Sequence, residues 1–239
     1  MTNATRPLSS LDAVAAIVAR AGDLDLTTPL PEEHSYASLP LCVIDAVFSI
    51  NVRYRVVENL VKKLTEQNAV LDGWPLFAPR ETRGAGTHTI SDFLAVVSPL
   101  GSAWTSNQNR TSARGGILKS EATIRFAEAL RSAGIDTFND MRDAKKTALA
   151  EMSILSIPGQ RSGISFSYFC ILAGDETRIK ADRMIQRFVA QATGLNADQI
   201  TPRLASSYLS EAAARLQVTP ARLDSAIWHY MARGEGATK

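Results

Sequence analysis

Apolar residues recur along this chain at three- and four-residue spacing, the interval that lines one face of an α-helix. Val57, Leu60, Val61 and Leu64 keep that spacing, with Lys62, Lys63 and Glu66 off the stripe. Leu11, Val14 and Val18 share a face behind Ser9 and Ser10, either of which suits a helix N-cap. Ile117, Ile124, Ala127 and Leu130 continue the pattern until Gly134 stops it, and Met184, Phe188 and Val189 form a stripe that ends near Gly194. Thr219-Pro220 reads as an N-cap and first turn, followed by Leu223, Ile227 and Tyr230 on one side, with Trp228 placed in the core. The two-residue alternation of a strand is nowhere sustained, so the pattern predicts an all-α fold of about ten helices.

Two segments break the rhythm. Residues 72–90, DGWPLFAPRETRGAGTHTI, combine Pro, Gly, Arg and aromatics in a loop whose length suits a functional or mobile segment and equally a plain surface connection. Trp74, Phe77, Arg80 and Arg83 there suit either stacking and charge pairing with a ligand or, for Trp74, plain anchoring of the loop. In the second, residues 149–193, a helix ends at Ile157, Pro158-Gly159 turns sharply, and an almost wholly apolar helix runs from Ser162 to about Ala173. That helix should cross the core, and the turn is open to two readings: a purely structural link between helices, or an anion site made by the first exposed backbone N–H groups. Twenty-three residues after Gly159, in Lys180-Ala181-Asp182-Arg183-Met184, Asp182 stands where the next helix should begin. Two readings are open for it: an N-cap worth about 1 kcal/mol, or an ionised catalytic carboxylate held by the helix dipole beside a developing positive charge.

Composition changes this picture little. The 239 residues are 45% hydrophobic and 21% charged with net charge +2, the balance of a folded chain that permits nucleic-acid binding without arguing for it. No apolar run approaches the ~20 residues of a membrane span, and the start, Met1-Thr2-Asn3-Ala4-Thr5-Arg6, lacks a secretion signal, which predicts a cytoplasmic protein. Cys42 and Cys170 sit in apolar surroundings and read as buried free thiols. With His34, His88 and His229 equally scattered, no zinc site or iron–sulfur cluster is expected, and no metal is assigned.

Taken together, Ile157-Pro158-Gly159, the apolar helix and Asp182 resemble the helix-hairpin-helix (HhH-GPD) DNA glycosylase superfamily, which contains the endonuclease III-like and adenine-mismatch enzymes. The resemblance extends over about 40–195. Cys42 to Val57 resembles the family's early helix, serine-containing loop and next helix, and Asn107 to Arg114 resembles the polar approach to the helix before the hairpin. It implies one two-lobed helical domain with a cleft between lobes, a central lobe over about 52–157 and a second lobe from about 1–51 and 158–239. It also implies a DNA partner, a duplex carrying a damaged or modified base, and hydrolysis of the N-glycosidic bond with Asp182 as the catalytic carboxylate. Pro158, Gly159, Gln160, Arg161 and Gly163 would grip the DNA backbone, the amides around Gly159, Gln160 and Gly163 holding a phosphate. A monovalent cation on the hairpin carbonyls is the one cofactor the resemblance allows. Asn51 would enter the gap left by the base, although a turn role suits it equally. Tyr168 and Phe166 would line a base pocket or pack in the core.

Three departures qualify the resemblance. Arg161 occupies the place of the hairpin's second glycine, where it either distorts the turn or adds a phosphate contact. Gly163 occupies the place of the lysine that bifunctional members use as a nucleophile, so strand cleavage by that route is not expected, and Lys180 has no stated place in the site. The four-cysteine cluster is absent, which points to members without it. The alternative reading is a non-catalytic helix-hairpin-helix protein that binds nucleic acid while Asp182 only caps a helix.

Overall fold

The computed structural model describes residues 9–27, 35–79, 82–83 and 88–236, and the predicted class holds: ten α-helices and no sheet among the described residues. The helices are α1 (Ser10–Arg20), α2 (Leu39–Phe48), α3 (Tyr54–Thr65), α4 (Ile90–Val97), α5 (Lys119–Ser132), α6 (Ala144–Leu155), α7 (Ile164–Ala173), α8 (Arg183–Thr193), α9 (Pro202–Leu216) and α10 (Pro220–Gly236).

Many of the punctuation signals act as read. Ser9 caps α1 by accepting the Asp12 N–H, and Thr219 opens α10 by accepting the Arg222 N–H. Gly194, in the left-handed region, ends α8. Differences arise where several faces are apolar at once. The buried side of α1 is Ala13, Val14 and Ile17, while Leu11 is 65% exposed. Trp228 stays half-buried with its ring edge-on to His229, because Leu223 and Ile227 already set the inner face of α10.

The chain divides into two packing units. One is formed by Pro31–Gly174 and contains α2 to α7. Every residue of α2 is buried, and the helix packs on α3, α5 and α7, so it has no solvent face to relieve the cost of a charge. The other unit joins Met1–Leu30 to Asp175–Lys239. Its core forms where α1 packs on α8 and α9 and α10 packs on the same two helices, around Val14, Ile17, Phe188, Leu209 and Ile227.

Candidate functional site

The hairpin is built from two consecutive turns. Chain leaving α6 at Leu155 buries Ile157, then bends so that the Gln160 N–H donates to the Ile157 carbonyl at 2.9 Å and the Gly163 N–H to the Gln160 carbonyl at 3.0 Å. Gly159 at φ 87° and Gly163 at φ 72° supply the left-handed conformations these turns need. The flanking helices are therefore shorter than the pattern suggests, ending at Leu155 and starting at Ile164, because Gly163 is the N-cap. Arg161 is exposed and is not among the positive-φ residues, so an arginine fits there without backbone strain. A side chain at Gly163, by contrast, would hold the left-handed backbone at a cost.

The amides expected to grip a phosphate at Gln160 and Gly163 are engaged inside the turns, whereas those of Arg161 and Ser162 donate to no acceptor among the described residues. Gln160 turns its side chain inward, fully buried, where Oε1 accepts from the Ser165 hydroxyl. Pro158 is half-buried and Gly159 exposed.

The turn leans on a neighbouring segment. Thr111 Oγ1 donates to the Pro158 carbonyl at 2.8 Å and accepts the Ile117 N–H at 3.2 Å, and Gly159 lies so close that an added Cβ would stand 2.5 Å from Thr111 Cβ. The same segment leads into α5, whose first residue, Lys119, donates its N–H to the Asn109 carbonyl at 2.8 Å. The fully buried Lys119 side chain then reaches past the end of α2, its ammonium donating to the carbonyls of Phe48 at 2.9 Å and Ile50 at 2.5 Å. A cation on the last carbonyls of a helix opposes the negative end of its dipole and closes groups the helix leaves open. Asn51 follows at φ 55°, exposed, a turn conformation that asparagine tolerates.

Residues 49–53, 107–118 and 157–163, which overlap the three stretches that carry the resemblance, thus meet at the start of α5. They carry four arginines, Arg53, Arg110, Arg114 and Arg161, and no Asp or Glu, in a chain whose net charge is only +2. All four arginines are exposed.

Burial lowers Lys119 from 10.5 to about 8. Replacing it with methionine strands two carbonyls, and Lys119→Met should cost about 2–3 kcal/mol in thermal unfolding. Because the unfolded chain binds this proton more tightly than the folded one, wild-type stability should rise relative to the variant as pH climbs from 8 towards 10.5. A fall over that window would contradict the buried ammonium.

Tyr168 and Phe166 both lie inside the same unit. Phe166 is fully buried against Phe126 and Phe169. Tyr168 donates to Asp45 Oδ2 at 3.4 Å, Tyr36 donates to the same oxygen at 3.0 Å, and the Ser49 hydroxyl donates to Oδ1 at 2.7 Å. Burial first, and the Asp45 charge second, raise both phenols well above their ordinary value, so they remain donors. Sequence reasoning passed over Asp45, although a lone carboxylate inside LPLCVIDAVF was a readable sign of a buried polar centre. Burial also pushes the Cys42 thiol up to about 12, which leaves it unreactive; Cys42 and Cys170 are both free and buried.

The described residues of the long loop are anchored. Trp74 stacks on His88 at 4.0 Å between ring centres, Phe77 stacks on Tyr36, and Arg83 lies over Phe138 while donating to the Leu172 carbonyl at 3.0 Å. Arg80 and His34 fall outside the described residues.

In the other unit Asp182 opens α8 as its N-cap, Oδ1 accepting from the Met184 N–H at 2.9 Å and the Ile185 N–H at 3.3 Å. The residue is half-buried, and Oδ2 accepts from no donor among the described residues. One oxygen therefore does the capping while the other keeps its lone pairs for a cation or a water.

No group of three or more His, Cys, Asp or Glu is placed to hold a metal ion among the described residues, and no helix there is long and apolar enough to cross a membrane. No curated protein and no solved structure matches the chain. One family model, described as a domain of unknown function (DUF8548), matches residues 12–232, and the protein belongs to that family.

Proposed function

We propose that this protein is a monofunctional DNA glycosylase of the helix-hairpin-helix type, hydrolysing the N-glycosidic bond of a damaged or modified base. The observation that carries the reading is the divided role of Asp182: Oδ1 satisfies the helix, and Oδ2 is left over among the described residues. As the base departs, positive charge develops on the deoxyribose; an ionised Asp182 stabilises that charge and orients or deprotonates the attacking water. The base first leaves the stack, at a cost of a few kcal/mol that is least for damaged or mispaired bases.

Backbone binding falls to the segments that meet at α5. The Arg161 and Ser162 amides suit a phosphate oxygen, and Arg53, Arg110, Arg114 and Arg161 suit its neighbours. The carbonyls of Ile157, Pro158 and Gln160 each accept one hydrogen bond already. Each carbonyl keeps a second lone pair, a donor set suited to a monovalent cation. Asn51 is exposed on the adjoining loop, where a side chain entering the duplex would start.

The test is a panel of lesion-bearing duplexes scored for free base. The expected result is base release with the strand intact until alkali, and no adduct trapped by borohydride, because Gly163 supplies no amine. Efficient trapping would make the enzyme bifunctional. Affinity for duplex should fall with salt, and Arg114→Ala or Arg161→Ala should each lessen the slope by about 1; an unchanged slope would remove that arginine from the DNA face.

The second reading, a non-catalytic nucleic-acid-binding protein, is favoured by the two cap bonds of Asp182, which a purely structural aspartate would also make.

A further inference from the structure

The approach to α8 is held by α10. In residues 176–182 the apolar Ile179 and Ala181 are buried and the alternate residues Lys180 and Asp182 are half-buried. Two bonds from α10 fix this segment: the Ala221 N–H donates to the Glu176 carbonyl at 3.1 Å, and Asp224 Oδ2 accepts the Lys180 N–H at 2.5 Å. Two more close the end nearest the helix. The Asp182 N–H donates to the Lys180 carbonyl at 2.6 Å, and Gln186 Nε2 donates to the Ala181 carbonyl at 2.8 Å. Asp224 itself is 7% exposed, next to Leu223 and one turn before Ile227 on the inner face of α10. A carboxylate there is costly, and an apolar residue would pack without that cost.

We infer that Asp224 is the positioning residue for Asp182: by taking the Lys180 amide it fixes the backbone from which Asp182 caps α8 and presents its second oxygen. The catalytic meaning of this assignment rests on the proposed role of Asp182; the mechanical part does not. The charged groups acting on Asp224 are Asp182, at the start of α8, and Lys180; none from α9 acts on it among the described residues. Burial raises Asp224 from 3.8 to about 7, opposed by the Lys180 amide and reinforced by the Asp182 charge. Near neutral pH its proton therefore comes and goes, and each change alters the potential at Asp182.

Two measurements on the full chain test the assignment without any substrate. The Lys180 amide should exchange slowly with solvent in the wild type and in Asp224→Asn, which keeps an acceptor oxygen, and fast in Asp224→Ala. The Asp182 carboxyl carbon, followed by NMR, should show an inflection near pH 7 that Asp224→Asn erases. Equal protection of Lys180 in all three proteins, or an Asp182 signal blind to Asp224, would overturn the assignment. Since the folded protein binds the Asp224 proton more tightly than the unfolded chain, wild-type stability should also fall relative to Asp224→Asn as pH rises from 3.8 through about 7. This readout survives if Asp224→Ala fails to fold, and its absence would overturn the buried carboxyl on which the assignment depends. On a duplex that the wild type processes, Asp224→Ala should lower kcat by about 100-fold with KM little changed, and Asp224→Asn should restore most of it. If the wild type releases no base from any duplex, the enzymatic reading fails, and the exchange and titration results still decide whether Asp224 positions Asp182.

Discussion

Asp182→Asn is expected to slow base release by about 100-fold or more while leaving the fold and DNA affinity in place. Asparagine caps a helix about as well as aspartate, because its side-chain oxygen accepts the same N–H groups, so the Met184 and Ile185 bonds survive. What is lost is the charge, and with it both the attraction for a developing sugar cation and the capacity to take a proton from water. Asp182→Ala removes the cap as well, and should add a stability loss of about 1 kcal/mol, a few degrees in Tm for a chain of this size. The two variants therefore separate the roles. Equal excision rates in wild type and Asp182→Asn would leave Asp182 as a cap and nothing more.

Gly159→Ala is expected to be the most damaging single-methyl change in the hairpin, lowering stability by about 2–4 kcal/mol. Part of the loss is the left-handed backbone at φ 87°, and the rest is the collision of the new Cβ with Thr111, whose hydroxyl bonds the adjacent Pro158 carbonyl. Relief requires Thr111 to move, and that loosens the Ile117 N–H it accepts. Gly163→Ala is the control: its backbone is left-handed too, at φ 72°, but the nearest atom to a new Cβ is Leu155 Cδ2 at 3.5 Å. Only the backbone cost of about 1 kcal/mol is then expected. Thermal unfolding of both variants checks the difference, and similar losses would show that Thr111 does not buttress the turn.

Helix number and class were legible because the 3.6-residue period is strong in most segments, and caps at Ser9 and Thr219 marked boundaries by chemistry rather than by hydrophobicity. The face of α1 was not, because Ala13, Val14, Ala16, Ile17 and Val18 crowd three sides and the inner one is chosen by what packs there. The hairpin was readable as Pro-Gly, but its extent was not: Gly163 had to be seen at a positive φ before the start of α7 moved from Ser162 to Ile164. Asp182 was visible as a residue opening a helix. The buried charges of the two units were hidden. Lys119 and Asp224 sit in helices where a charged residue normally faces water, and nothing in their neighbours announces that one closes the end of α2 and the other holds the Lys180 amide. Segment convergence at α5 was equally silent, since it arises from bonds spanning 47 to 71 residues.

The proposed reading can be tested without knowing which base would be removed, because the sugar cation would be common to every substrate. Affinity should be measured for one duplex carrying a protonated pyrrolidine in place of the deoxyribose and for the same duplex carrying a neutral abasic analogue. The wild type is expected to prefer the cationic duplex by about 100-fold or more, and Asp182→Asn to lose that preference while binding the neutral duplex as before. Equal affinity of the wild type for the two duplexes would contradict the proposed reading.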